Sequence, residues 1–189
     1  MNKKIIAINI GSRNKRYAYF EDGELKAKGE ESFFEFIEHN KIDTNDLVVG
    51  IRIVAPGKLF TEDREIDGGY LEKLKESGNI APLHTELVII EIEQIQNKFP
   101  DLKMFGISDS TFHRSIPLFA KTYAIPKQIR EEYGIERQGY HGLSLSSVVK
   151  IINKELGRVP EKLIVCHLGG GSSVSALKNG VSIDTSMGW

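Results

Sequence analysis

Two polar turns carry most of the chemistry legible in this chain. The first is Asn9-Ile10-Gly11-Ser12-Arg13-Asn14-Lys15-Arg16. Its glycine lets the backbone approach a ligand closely, its Ser and Asn supply donors, and its basic residues supply charge. The second is His167-Leu168-Gly169-Gly170-Gly171-Ser172-Ser173, placed after an apolar strand. Three consecutive glycines can turn several backbone N–H groups toward one anion. Each turn also has a plainer reading, a polar hairpin for the first and a flexible glycine loop for the second. Two such turns in one chain strengthen phosphate binding for both. Neither is a Walker loop, because the GxxxxGK[ST] spacing is absent.

Other candidates stand singly. Arg52 interrupts the apolar run Val48–Val54. A buried guanidinium there needs a partner and suits bidentate contact with a carboxylate or phosphate; the alternative is an edge-strand arginine facing water. Asp109 follows the strand Lys103–Ile107, and strand carboxyl ends are where open α/β sheets bind ligands. It could hold Mg²⁺ or orient a nucleophile; otherwise it is a helix N-cap, with Ser110 as rival. His141 lies between glycines in Gly139-Tyr140-His141-Gly142, which leaves its ring room to meet a ligand. His167 orients the glycine turn, His113 pairs with Asp109 or packs, His84 starts a helix, and His39 is a surface residue. No HxxxH or Cys/His spacing announces a metal cluster.

The elements that would position these residues alternate between strands and helices. Strands are expected at 4–10, 17–20, 24–28, 47–54, 103–107, 163–168, 174–177 and 181–183, and Asp22-Gly23 and Asn179-Gly180 are hairpin turns. Ser32 caps a short helix containing Phe33 and Phe36. A longer helix follows Pro82 and ends at Pro100, and another covers about 143–156. The order predicts a layered α/β fold. Strand, Gly/Ser turn and hairpin strand occur at 4–20 and again at 163–177, which suggests two related domains, 1–112 and 113–189, facing one cleft.

Composition limits the function classes. A formal charge of -1 argues against a general polyanion binder. No apolar run approaches the roughly 20 residues that span a bilayer, and the start lacks a signal-peptide pattern. The single Cys166 cannot form an internal disulfide, so a cytoplasmic setting is expected. The chain stops at Trp189 just after a hairpin, as expected of a chain cut in mid-domain; a short protein docking its last residues on its own core is the alternative.

Seven motifs occur in one order: Asn9–Ser12, Gly50–Gly57, Ala81–His84, Asp109–His113, Tyr133–Gly142, His167–Ser173 and Asp184–Gly188. The series resembles the acetate kinase family, which includes propionate and butyrate kinases. The resemblance implies the actin-like ATPase fold of acetate and sugar kinases, Hsp70 and actin, with a truncated second domain here. It implies Mg²⁺- (or Mn²⁺-) dependent phosphoryl transfer from ATP to a short carboxylate, acetate first, giving an acyl phosphate and ADP. It also implies roles. Asn9, Ser12 and Arg16 would line the phosphate and metal site, Asn9 and Asp109 holding the metal. Arg52 would hold the carboxylate or the transferred group. His141 would stabilise the transition state. Asp109 would position through the metal or on the carboxylate. His167, Gly169, Gly170, Gly171 and Ser172 would contact ATP phosphates, and Val54, Leu83 and Tyr140 would enclose the acyl methyl. A homodimer is implied for the full-length protein, with no nucleic acid or membrane partner.

The sequence also departs from the family pattern. Arg13, Asn14 and Arg16 replace Ser, Ser and Lys in the first loop. Gly170 stands where Asn is usual, closer to the butyrate kinase pattern, and Ile51 and Ala55 stand where the family often has His on both sides of Arg-x-Val. The family continues for about as many residues again, with the adenosine pocket and a second substrate arginine there, so the chain alone is expected to be inactive. The rival readings are another actin-like kinase and a non-catalytic module that binds nucleotide or a partner.

Overall fold

The computed structural model describes residues 3–11, 14–78 and 82–188, the side chains of 82–84 excepted. The chain divides into two compact units: residues 1–55 with 63–107, and residues 56–62 with 108–189. The sequence alone suggests one boundary at 112/113. The observed division falls five residues earlier and gives the Pro56–Glu62 excursion to the second unit.

In the first unit, β1 (Lys4–Ile10), β2 (Lys15–Glu21) and β3 (Glu24–Gly29) form an antiparallel meander. Asp22 and Gly23 both have positive φ, 49° and 83°, the backbone that a tight two-residue hairpin requires. Helix α1 (Phe33–His39) opens with a capping box between Ser32 and Glu35. It carries the chain to β4 (Leu47–Ile53), which pairs parallel to β1. The short β5 (Arg64–Glu65), helices α2 (Gly68–Gly78) and α3 (Pro82–Lys98), and β6 (Lys103–Ser108) follow. The sheet order is β3-β2-β1-β4-β6-β5. Helix α2 is absent from the sequence expectation; its buried residues Tyr70, Leu71 and Leu74 are few and set among charged residues.

Strand alternation sorts the side chains. Ile6, Ile8 and Ile10 of β1, Tyr17 and Tyr19 of β2, and Val49, Ile51 and Ile53 of β4 are buried with Phe33 and Phe36 of α1 and Val88, Ile92 and Ile95 of α3. Burying each such side chain contributes about 1.5–3 kcal/mol. The odd-numbered β1 residues, Ile5, Ala7 and Asn9, lie on the opposite, exposed face.

The second unit contains α4 (Leu118–Lys121), α5 (Lys127–Tyr133), α6 (Gly142–Leu156) and the antiparallel sheet of β7 (Lys162–Leu168), β8 (Ser172–Lys178) and β9 (Val181–Thr185). Leu145 of α6 packs on Val165 and Leu177, with Val148, Val149 and Leu163 beside them. The expected Asn179-Gly180 turn has φ of 52° and 78°. Helices α4 and α5 are likewise absent from the sequence expectation; they bury no residue, so no apolar periodicity announces them. No helix among the described residues is long and apolar enough to cross a membrane.

Candidate active site

In the first unit the candidate residues form a row across three strands. Asn9 lies directly opposite Arg16 in the β1–β2 ladder, and Ile8 is paired with Ile51 in the β1–β4 ladder, so Asn9 and Arg52 are neighbours on the exposed face. Arg52 Nη1 donates to Asn9 Oδ1 at 3.2 Å. The guanidinium is therefore not buried in the strand, as one reading of the apolar run required; alternation turns it to the open face. Arg16 donates from Nε to Glu30 Oε1 at 3.3 Å, and both side chains are more than 60% exposed, so that pair is weak. Ser12 lies outside the described residues, as does the side chain of Leu83. Val54 follows β4 and is half-buried.

Lys15, beside the first loop, faces the other way. Its ammonium donates to Glu91 Oε2 of α3 at 2.6 Å, and the Tyr17 hydroxyl donates to Glu91 Oε1 at 2.7 Å. Glu91 is 2% exposed. Nothing in the sequence singles out this buried acid, because an isolated Glu in an amphipathic helix reads as a surface residue.

In the second unit, Asp109 is buried and anchors the start of α6. Its Oδ2 accepts from the His141 amide at 2.8 Å, its Oδ1 accepts from the Leu143 amide at 3.5 Å, and its own carbonyl accepts from the Gly142 amide at 2.8 Å. His141, the residue preceding α6, makes no side-chain cap. Asp109 thus caps a helix 32 residues away in sequence, where a negative charge is favoured by the helix dipole.

The glycines beside His141 serve packing. A Cβ on Gly142 would lie 2.5 Å from the Asp109 carbonyl oxygen, and one on Gly139 (φ 74°) would lie 2.7 Å from the His113 ring. They admit neighbouring groups rather than freeing the imidazole. His141 itself adopts φ 64°, a left-handed conformation costly for a residue with a Cβ.

The His141 and His167 rings stack with centroids 4.0 Å apart and planes inclined by 22°. His141 Nδ1 lies 3.0 Å from Ser173 Oγ, and His167 Nδ1 lies 2.9 Å from Ser144 Oγ. A Cβ on Gly171 would sit 3.2 Å from His141 Nε2, and one on Gly169 would sit 3.5 Å from His167 Nε2. The glycine turn therefore passes over the Nε2 edge of both rings. Gly170 and Ser172 are exposed in the same turn. The fold thus brings Asp109, His141, His167 and the turn together. In the sequence Ser173 is only a turn residue; the strand pattern that buries it alternately with Ser175 is the signal that could have found it.

His113 is wholly buried, and its ring nitrogens are engaged away from the Asp109 carboxylate. They bridge Ser182 Oγ (2.8 Å from Nδ1) and the Tyr140 carbonyl (2.9 Å from Nε2). A carbonyl only accepts, so Nε2 carries the proton and Ser182 donates to Nδ1. Burial holds the His113 pKa below its ordinary value. Burial, then the Asp109 charge, pushes the half-buried Tyr140 phenol up to about 12. Among the described residues, no group of three or more His, Cys, Asp or Glu is placed to hold a metal.

Comparison with known proteins agrees with the motif order. The acetokinase family model matches residues 3–189. Acetate kinase 1 of Vibrio cholerae is 41% identical over 142 residues, which are 74% of this chain and 36% of that protein. The acetate kinase of Desulforamulus reducens is 42% identical over 150 residues, 78% of this chain and 38% of that protein. Among solved structures, a propionate kinase from Francisella tularensis superposes with a TM-score of 0.84 at 29% identity, covering 98% of this chain and 57% of that one. Acetate kinase from Entamoeba histolytica gives 0.82 at 28% identity, covering 98% and 55%. The α/β fold is that of these kinases, the actin-like class expected from the sequence. This chain spans little more than a third of the length of the curated relatives it matches. With its motifs, fold and family match in agreement, the chain belongs to the acetokinase family.

Proposed function

We propose that this chain supplies phosphate- and carboxylate-binding residues of a kinase that transfers the γ-phosphoryl group of ATP to a short-chain carboxylate, acetate first among them. The observation that carries this reading is the glycine turn lying over the stacked His141–His167 pair at the Asp109-anchored start of α6. The Gly169 amide is already donated to the Gly171 carbonyl at 3.1 Å, so such a turn offers phosphate oxygens the N–H groups that follow it, and phosphoryl transfer depends mainly on positioning and on stabilising oxygen charge.

In the reaction, a carboxylate oxygen attacks the γ-phosphorus. The bond from that phosphorus to the bridging oxygen breaks, and ADP leaves with the electron pair. The carboxylate is already charged, so no base is required. That suits Asp109, whose oxygens are used by the amides of α6; it positions rather than accepts a proton. Arg52, steadied by Asn9, would hold the carboxylate or the phosphoryl oxygens, with Arg16 adding charge on the same face. His141 would donate to the transferring group. His167, Gly169, Gly170, Gly171 and Ser172 would contact the nucleotide phosphates with Ser12. Val54, Leu83 and Tyr140 would bound the acyl group.

A divalent cation fits this donor set in one way. The absence of a three-donor cluster among the described residues disfavours a resident cage, whereas Mg²⁺ or Mn²⁺ arriving on phosphates needs only one or two protein oxygens. Asn9 in the first unit, on the exposed face, or Asp109 in the second, through lone pairs not used by the α6 amides, would supply one such oxygen. The chemistry supplied by such an ion would be neutralisation of charge on the phosphate oxygens.

The test is ATP- and acetate-dependent acyl phosphate formation, trapped with hydroxylamine, on this chain and on the longest reading frame that contains it. Turnover abolished by Arg52→Ala supports the reading. A folded protein that turns over none of acetate, propionate and butyrate refutes it and favours a module that binds nucleotide without chemistry.

A further inference from the structure

The His141 ring is fixed from three directions. Asp109 holds its backbone amide, His167 covers one face, and Ser173 meets Nδ1. Ser173 is 2% exposed, and among the described residues its hydroxyl has no partner other than His141. A buried hydroxyl hydrogen is seldom left unused, because an unsatisfied donor costs about 1–3 kcal/mol. The Ser173 hydrogen therefore points at Nδ1, which must be the unprotonated nitrogen of the neutral ring.

We infer that Ser173 is a positioning residue for His141: its hydroxyl donates to Nδ1 and keeps the ring proton on Nε2, so that a neutral N–H donor faces the glycine turn and an oxygen of the transferred phosphoryl group. The use of that donor rests on the phosphoryl-transfer reading above; the tautomer does not. Gly171 is part of the device, since a side chain there would stand 3.2 Å from Nε2. His113 has the same tautomer, with Ser182 on Nδ1 and its Nε2–H donated to the Tyr140 carbonyl. Ser144, on Nδ1 of His167, braces the stacked ring against rotation.

Long-range proton–nitrogen correlation on the ¹⁵N-histidine-labelled chain reads the tautomer directly. It is run at about pH 8, above the ordinary histidine range, with His141→Gln for assignment. The expected result is a pyridine-type Nδ1 and a pyrrole-type Nε2 for His141. Ser173→Ala should convert this into a tautomer mixture, and Ser173→Thr should restore it. A pyrrole-type Nδ1 in the parent, or a parent-like spectrum in folded Ser173→Ala, overturns the inference. Should Ser173→Ala fail to fold, the parent spectrum decides alone. Inorganic phosphate, added last, should shift the His141 Nε2 signal. The expected tautomer without that shift overturns the proposed use of the donor and the phosphate reading of the turn, and leaves the Ser173 assignment standing.

Discussion

Replacing Asp109 with Asn separates what this residue does for the fold from what it does for chemistry. Asn is nearly isosteric, and its oxygen can still accept from the His141 amide, now 2.8 Å from Oδ2. The bond changes from charge-assisted to neutral, a loss of about 1 kcal/mol. The amide NH₂ must then occupy the place of Oδ1, 3.5 Å from the Leu143 amide, where two donors face each other. The negative charge at the start of the 15-residue helix α6 also disappears, worth about 0.3–1 kcal/mol and up to about 2 when partly buried. Together these give about 2 kcal/mol of destabilisation. For a chain of this size that corresponds to a melting temperature lower by about 4–8 °C. The assay is thermal or urea unfolding of the chain, with amide exchange at His141 and Leu143 as the local readout. Asp109→Ala, which removes both acceptors, should cost more. An Asp109→Asn chain melting within about 1 °C of the parent, with unchanged exchange at those amides, would refute the anchoring role.

Other perturbations have equally definite outcomes. Glu91→Leu strips the Tyr17 hydroxyl and Lys15 of their acceptor; with Lys15 still reaching water, the cost should be about 2–4 kcal/mol in urea unfolding. Adding Tyr17→Phe should recover part of it, and strictly additive costs would contradict the shared network. Gly139→Ala combines a positive φ with collisions at His113 and Thr185 and should lose about 2–4 kcal/mol, whereas Gly23→Ala, with φ 83° but nothing nearby, should lose about 1. Equal midpoints for the two would count against the packing argument. His113 has a folded pKa lowered mainly by burial, opposed by the Tyr140 bond and the Asp109 charge and reinforced by Lys121. Its contribution is complete above the unfolded value near 6.5 and is lost as pH falls through the lower folded value, at up to about 1.4 kcal/mol per pH unit. Matching stability–pH slopes for the parent and His113→Asn below about pH 6.5 would exclude it as the source.

The strands are legible because their signals are local. In β1, alternating Ile6, Ile8 and Ile10 announce a one-sided strand, and Asp22-Gly23 and Asn179-Gly180 announce their turns through the residues that tolerate positive φ. The same alternation is enough to put Arg52 on the open face once the run Val48–Val54 is taken residue by residue rather than as one apolar block. Helices α4 and α5 are not legible, since a helix that buries nothing leaves no periodicity in sequence.

The sequence by itself determined the family, because seven motifs in order are a one-dimensional fact, and it named Asn9, Arg52, Asp109, His141, His167 and the glycines as candidates. Tertiary structure alone decided how some of them are engaged. Asp109 could be a metal ligand, a nucleophile holder or a cap in sequence; the fold brings it to amides 32 residues away. Glu91 and Ser173 are ordinary in sequence and gain roles only when Tyr17 and His141 are packed against them. The physical reason is the same in each case. A charge or a hydroxyl acts through what lies within about 3 Å of it, and for these residues that neighbour comes from a distant part of the chain.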